Sequence, residues 1–100
     1  MYTRMIIGEC ISEEQVKEFS ATYGKLDVSD ACTGFVSSQL LTEDGGNMVL
    51  VLTEWDTREN CLRYHSSRAY RQFVAATQHL LVGEFVIKLF TSTAMRTVSL

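Results

Sequence analysis

Residues 35–55, FVSSQLLTEDGGNMVLVLTEW, decide the fold. Two runs rich in β-formers, 35–42 and 47–55, flank Glu43, Asp44, Gly45 and Gly46, and β-runs joined by a short glycine turn make an antiparallel hairpin. The second run is apolar on both faces: Val49, Val51 and Trp55 point one way, Met48, Leu50 and Leu52 the other. A strand with one face in water alternates instead, so this one needs two covers. Helices supply the first. A chain of 100 residues has nothing left for the second, and a second copy of the subunit is expected there.

Upstream of the hairpin, residues 2–9 (YTRMIIGE) read as a strand. Ser12 stands three residues before Gln15 in a capping-box pattern, and Glu13 and Glu14 favour the positive end of a helix dipole. Val16, Phe19, Tyr23 and Leu26 then recur at steps of three and four, one apolar stripe on a helix of about four turns that Gly24 weakens and that exits through Asp30 to Gly34. Downstream, Asp56 is the expected cap of a helix carrying Glu59, Cys61, Leu62 and His65. Ser66 and Ser67 interrupt that helix and restart it, and Tyr70, Phe73, Val74 and Thr77 line one face up to His79. Residues 81–91 (LVGEFVIKLFT) are the fourth strand, with Phe85, Ile87 and Leu89 alternating against Val86, Lys88 and Phe90. The last stretch, STAMRTVSL, has no period and reads as a tail or a partner contact.

The order β-α-β-β-α-β specifies an α+β, ferredoxin-like split βαβ domain spanning 1–100, a four-stranded antiparallel sheet with its helices on one face. Its other face is too apolar for a lone protomer, so a homodimer is expected.

A composition of 46% hydrophobic and 21% charged residues is that of a globular chain. The net charge of −3, without a basic stripe, argues against nucleic acid as a partner. No apolar run approaches the roughly 20 residues that span a bilayer, and residues 1–10 do not read as a signal peptide. Cys10, Cys32 and Cys61 are odd in number and lack CxxC spacing, so reduced thiols in a cytoplasmic protein fit better than disulfides or zinc.

Within residues 34–73, Gly34 and Phe35 open a hairpin, Glu54 and Trp55 end it, and Leu62, His65, Ser67 and Tyr70 follow at set spacings. This pattern resembles the antibiotic biosynthesis monooxygenase family. The resemblance implies a dimeric α/β barrel with a pocket between sheet and helices in each subunit. It also implies, for several members, oxygenation of aromatic polyketides or quinols with no metal and no flavin. The family's strand-end tryptophan is matched by Trp55. Its asparagine-arginine pair on the first strand is matched by Thr3 and Arg4, so the asparagine is missing. The haem degraders' iron-binding histidine falls near Val74 and a second tryptophan near Tyr64, which disfavours haem; no cofactor is expected.

The candidate catalytic residues are therefore Trp55, to stack a planar ring and hold an oxygen with its indole N–H, His65, as a base for a phenolic proton, and Thr3. Thr3 and Arg4 point to opposite faces, and Thr3 is taken as the pocket residue with Arg4 at the interface or surface. Tyr23, Tyr64, Tyr70 and Phe73 are the candidate substrate-binding set. His79 reads as a helix-end cation, the cysteines as small hydrophobes, and no metal site is expected. These residues fit a cofactor-independent monooxygenase of a small aromatic, phenolic or quinol substrate. The alternative is a non-catalytic dimer of the same fold that binds a small apolar ligand.

Overall fold

The hairpin forms where the sequence places it. In a computed structural model that describes residues 1–26 and 32–97, β2 (Phe35–Thr42) pairs antiparallel with β3 (Met48–Trp55). Gly45 turns the chain with φ 74°, a conformation that favours glycine, and the Glu43 N–H donates to the Met48 carbonyl at 2.9 Å. A register shift between Phe35 and Ser37 sets Phe35 opposite Trp55, and their rings meet edge to face at 5.9 Å.

The remaining strands are β1 (Tyr2–Glu9) and β4 (Val86–Thr91), and the sheet order β2-β3-β1-β4 is antiparallel throughout. Three helices follow the expected bounds: α1 (Glu13–Leu26), α2 (Arg58–His65) and α3 (Arg68–Thr77), with a 3-10 turn at Gln78–Leu80. Ser12 starts α1, its carbonyl accepting from Val16 N–H at 3.1 Å and its hydroxyl bonding the Gln15 side chain. The side chain of Leu26, the expected exit through Asp30 and the tail residues 98–100 lie outside the described residues.

Two expectations need correction. The cap of α2 is Thr57, not Asp56: Thr57 has extended backbone and its hydroxyl accepts from Asn60 N–H at 3.2 Å, whereas the Asp56 carboxylate accepts from the Asn60 side chain. The fourth strand starts at Val86 rather than Leu81. Leu81 makes only an isolated bridge to Cys10, and Gly83, at φ 79°, breaks the extended run before the ladder begins.

α1, α2 and α3 lie on one face of the sheet. Their side of the sheet presents Arg4, Ile6, Val49, Val51, Thr53 and Trp55, all buried. Against them pack Phe19 of α1, Cys61 and Tyr64 of α2, and Tyr70 and Phe73 of α3. Burial of these large side chains is the main stabilising term of the domain. The helix layer rests on β1, β2 and β3 and leaves β4, an edge strand, exposed at every residue. That uncovered strip is where a hollow forms.

Candidate functional site

Parity along β1 sets the site. Tyr2 stands opposite Trp55, so Arg4 falls opposite Thr53 and faces the helices, while Thr3 falls opposite Glu54 and Phe90 on the open face. The expected assignment is thus reversed: Arg4 is completely buried and Thr3 points away from the helix layer. The run Met5-Ile6-Ile7 is apolar at both parities and gave no signal of which face was inward.

A buried guanidinium is costly unless something replaces its water. Here two aromatic rings do so in part. The Arg4 Cζ lies 4.2 Å from the Tyr70 ring centre and 5.3 Å from that of Tyr64. Tyr64 in turn stacks on Trp55 at 4.9 Å, and His65 lies 5.3 Å from Tyr70. The serine pair makes this cluster possible, because Ser66 ends α2 and Ser67 caps α3 by accepting from Tyr70 N–H at 3.1 Å. This helix break turns α3 so that Tyr70 comes back over Arg4 rather than continuing the α2 stripe.

The hydrogen bonding of Arg4 fixes the protonation of His65. Arg4 Nη2 lies 3.0 Å from His65 Nδ1. A guanidinium only donates, so Nδ1 accepts and the ring's own proton sits on Nε2. His65 is pushed below its ordinary pKa, first by burial and then by the positive charge of Arg4, which reinforces the neutral ring. The lone pair that the base role requires is therefore the one already engaged, and the free nitrogen is a donor. Arg4 Nε and Nη1 have no acceptor among the described residues.

Beside this pair opens a cavity of about 390 Å³ lined by Arg4, Cys61, Leu62, His65, Ile87 and Leu89. A second hollow of about 510 Å³ shares Ile87 and is bordered by Tyr70, Val74 and Phe85. Together they follow the strip of β4 that the helices leave uncovered, with an apolar floor and donors at the inner end. Burial raises the Cys61 thiol, with Arg4 pulling it the other way, so this wall residue stays protonated. A larger hollow, about 700 Å³, lies between α1 and the β2–β3 turn, but Glu13, Lys17, Glu43 and Asp44 on its walls all stand in water.

Of the expected site residues, His65 and Tyr70 border the cavities and Tyr64 backs Arg4. Trp55 does not reach them. It is wholly buried, and its indole N–H donates to Thr53 Oγ1 at 3.0 Å, which takes the group expected to hold a substrate oxygen. Phe73 packs edge-on against Phe19 at 5.6 Å, and Tyr23 bonds Ser38 at 2.6 Å, both on the α1 side of the core. His79 is exposed in the 3-10 turn. Among the described residues no group of histidine, cysteine and carboxylate side chains is placed to hold a metal ion. Among the described residues no helix is long and apolar enough to cross a membrane. Arg4, Ile87 and Leu89 were missed, although an arginine in an apolar strand was a legible anomaly.

The sequence profile of antibiotic biosynthesis monooxygenases matches residues 1–76. The chain belongs to that family. No curated protein sequence matches it at a significant level. Solved structures of the same fold are numerous. A monooxygenase from the ActVA-Orf6 gene of Streptomyces coelicolor, in complex with nanaomycin D, superposes with a TM-score of 0.84 at 12% identity, covering 98% of this chain and 92% of that one. SnoaB, a cofactor-independent oxygenase from Streptomyces nogalater, is similar with a TM-score of 0.79 at 19% identity and 94% coverage of each chain. Rv0793 from Mycobacterium tuberculosis gives 0.77 at 13% identity, covering 97% of this chain and 100% of its own. At these identities the likeness establishes the ferredoxin-like fold of the family, and chemistry has to be argued from the cavity.

Proposed function

We propose that this antibiotic biosynthesis monooxygenase family member is a cofactor-independent oxygenase of a small phenolic or quinol ring, and that it works as a homodimer. The observation that carries the reading is the cavity on β4, whose apolar floor of Ile87 and Leu89 ends at the Arg4–His65 donor pair. A ring lying on that floor directs its hydroxyl oxygen toward the donors, which favour the ionised, electron-rich form. An electron-rich ring reduces dioxygen itself: one oxygen atom enters carbon as a new carbonyl, the other leaves as water, and the substrate supplies all four electrons. His65 acts in this scheme through its Nε2–H, as a donor to the substrate oxygen. Tyr70 and Tyr64 hold Arg4, and Trp55 holds Tyr64 from behind.

The homodimer is supported by the open sheet face. Met5, Ile7, Leu50, Leu52, Val86 and Phe90 share it, with Val86 51% and Phe90 45% exposed. A second copy covering that face removes an apolar surface larger than a lone protomer tolerates.

Oxygen uptake by the purified protein with hydroquinones and anthrones tests the reading. A rate no faster than the substrates' own autoxidation, or one untouched by Tyr70→Ala and His65→Ala, refutes it. The second reading, a non-catalytic binder, is favoured by one specific observation. No group lining the 390 Å³ cavity is a free proton acceptor, because the His65 acceptor nitrogen is occupied by Arg4. Saturable binding without product supports it, and accumulation of product removes it.

A further inference from the structure

The Arg4 guanidinium carries a charge that nothing in the described protein answers. It is fully buried, Nε and both hydrogens of Nη1 find no acceptor, and Nη2 donates only to a neutral imidazole. The Tyr64 and Tyr70 rings soften the burial, but they leave the N–H groups without an acceptor. The other groups around it are of the same kind. His65 turns a second N–H outward, Cys61 stays protonated, and Leu62, Ile87 and Leu89 are apolar. A cavity that ends in donors and one full positive charge, with no carboxylate among its lining residues, is complementary to a negative acceptor.

We propose that the cavity takes a planar organic acid, whose anionic oxygen group seats against the Arg4 N–H groups and whose ring lies over Ile87 and Leu89. The proposal rests on the oxygenase reading for the place of the ring and narrows its substrates to anions. The oxygen comes from a carboxylate or from an ionised ring hydroxyl. Either accepts in the plane of the guanidinium, which the tyrosine rings do not do. Leu62, 37% exposed at the rim, is the side chain that turns aside to admit the group.

Titration calorimetry on the full chain tests this with 2-naphthoate, the neutral 2-naphthamide, and 4-nitrophenol across its ionisation. Naphthoate is expected to bind at least about tenfold more tightly than the amide. Arg4→Met is expected to erase that preference and Arg4→Lys to keep part of it. Tight naphthoate binding alone identifies a carboxylate ligand, whereas nitrophenol affinity that rises as the phenol ionises identifies a phenolate. Equal binding of acid and amide together with nitrophenol affinity indifferent to ionisation, no binding of any probe, or an anion preference that survives in Arg4→Met overturns the proposal. Should Arg4→Met fail to fold, the wild-type Arg4 Nε–H resonance decides: it shifts on addition of naphthoate or ionised nitrophenol and not of amide, and a signal unmoved by both anions is equally fatal. These are binding readouts, so an enzyme that proves inert toward dioxygen leaves the anion site standing. An active oxygenase indifferent to ligand charge removes the anion site alone.

Discussion

Replacing Trp55 by phenylalanine separates a core residue from a substrate wall. Trp55 is fully buried, stacks on Tyr64 at 4.9 Å, meets Phe35 at 5.9 Å and donates to Thr53 Oγ1. Phenylalanine is smaller by about 40 Å³, and at roughly 24 cal/mol per Å³ of residual cavity that costs ~1 kcal/mol. Thr53 is itself 1% exposed, so the lost hydrogen bond is not replaced by water and costs about 1–2 kcal/mol more. Weaker stacking on Tyr64 adds roughly 0.5 kcal/mol. The sum is about 2–4 kcal/mol, which lowers the melting temperature of a domain this size by roughly 10–25 °C. Far-ultraviolet circular dichroism at one fixed protein concentration measures it, since an assembly's melting point depends on concentration. Because Trp55 lines neither β4 cavity, affinity for naphthoate in the folded variant is expected to change less than about threefold. Unchanged stability together with lost ligand binding refutes the reasoning and returns Trp55 to the site.

Three further outcomes follow from individual residues. The His65 pKa is depressed in the folded chain, so the unfolded state binds more protons below the ordinary value of 6.5; this contribution is present above 6.5 and is lost as pH falls through the folded value. His65→Gln is therefore expected to lose less melting temperature between about pH 7 and pH 5 than wild type does, and parallel curves count against the Arg4–His65 contact. Gly34→Ala is expected to cost roughly 1–3 kcal/mol in urea unfolding, because φ is 83° and the new methyl collides with the Asp56 carboxylate and the Asn60 side chain; a change below about 0.5 kcal/mol contradicts this. Phe90→Glu, on the open face of β4, is expected to halve the mass seen by light scattering, and an unchanged dimer places the interface elsewhere.

Much of the scaffold was legible in the chain. β1 and β2 have the expected bounds and β3 differs by one residue, because β1 gives way to the bend at Ile11-Ser12 and the hairpin strands to the turn at Asp44-Gly45. The break at Ser66–Ser67 was legible because serine caps a helix better than it extends one. Four aromatic candidates were correctly placed on the helices, but spacing alone did not tell Tyr70, which borders a cavity, from Phe73, which fills the core. The start of β4 was misread because periodicity does not register the positive φ of Gly83.

Local pattern determined which segments are strands and helices and in what order they come, since each follows from side-chain period and turn chemistry within a few residues. The inward position of Arg4, the occupied acceptor nitrogen of His65 and the burial of Trp55 were decided only in three dimensions. Each depends on partners far along the chain: Thr53 opposite Arg4, Arg4 against His65, and Tyr64 and Phe35 around Trp55. Met5-Ile6-Ile7 is equally apolar at both parities, so only strand pairing selects the face on which the buried Arg4 lies.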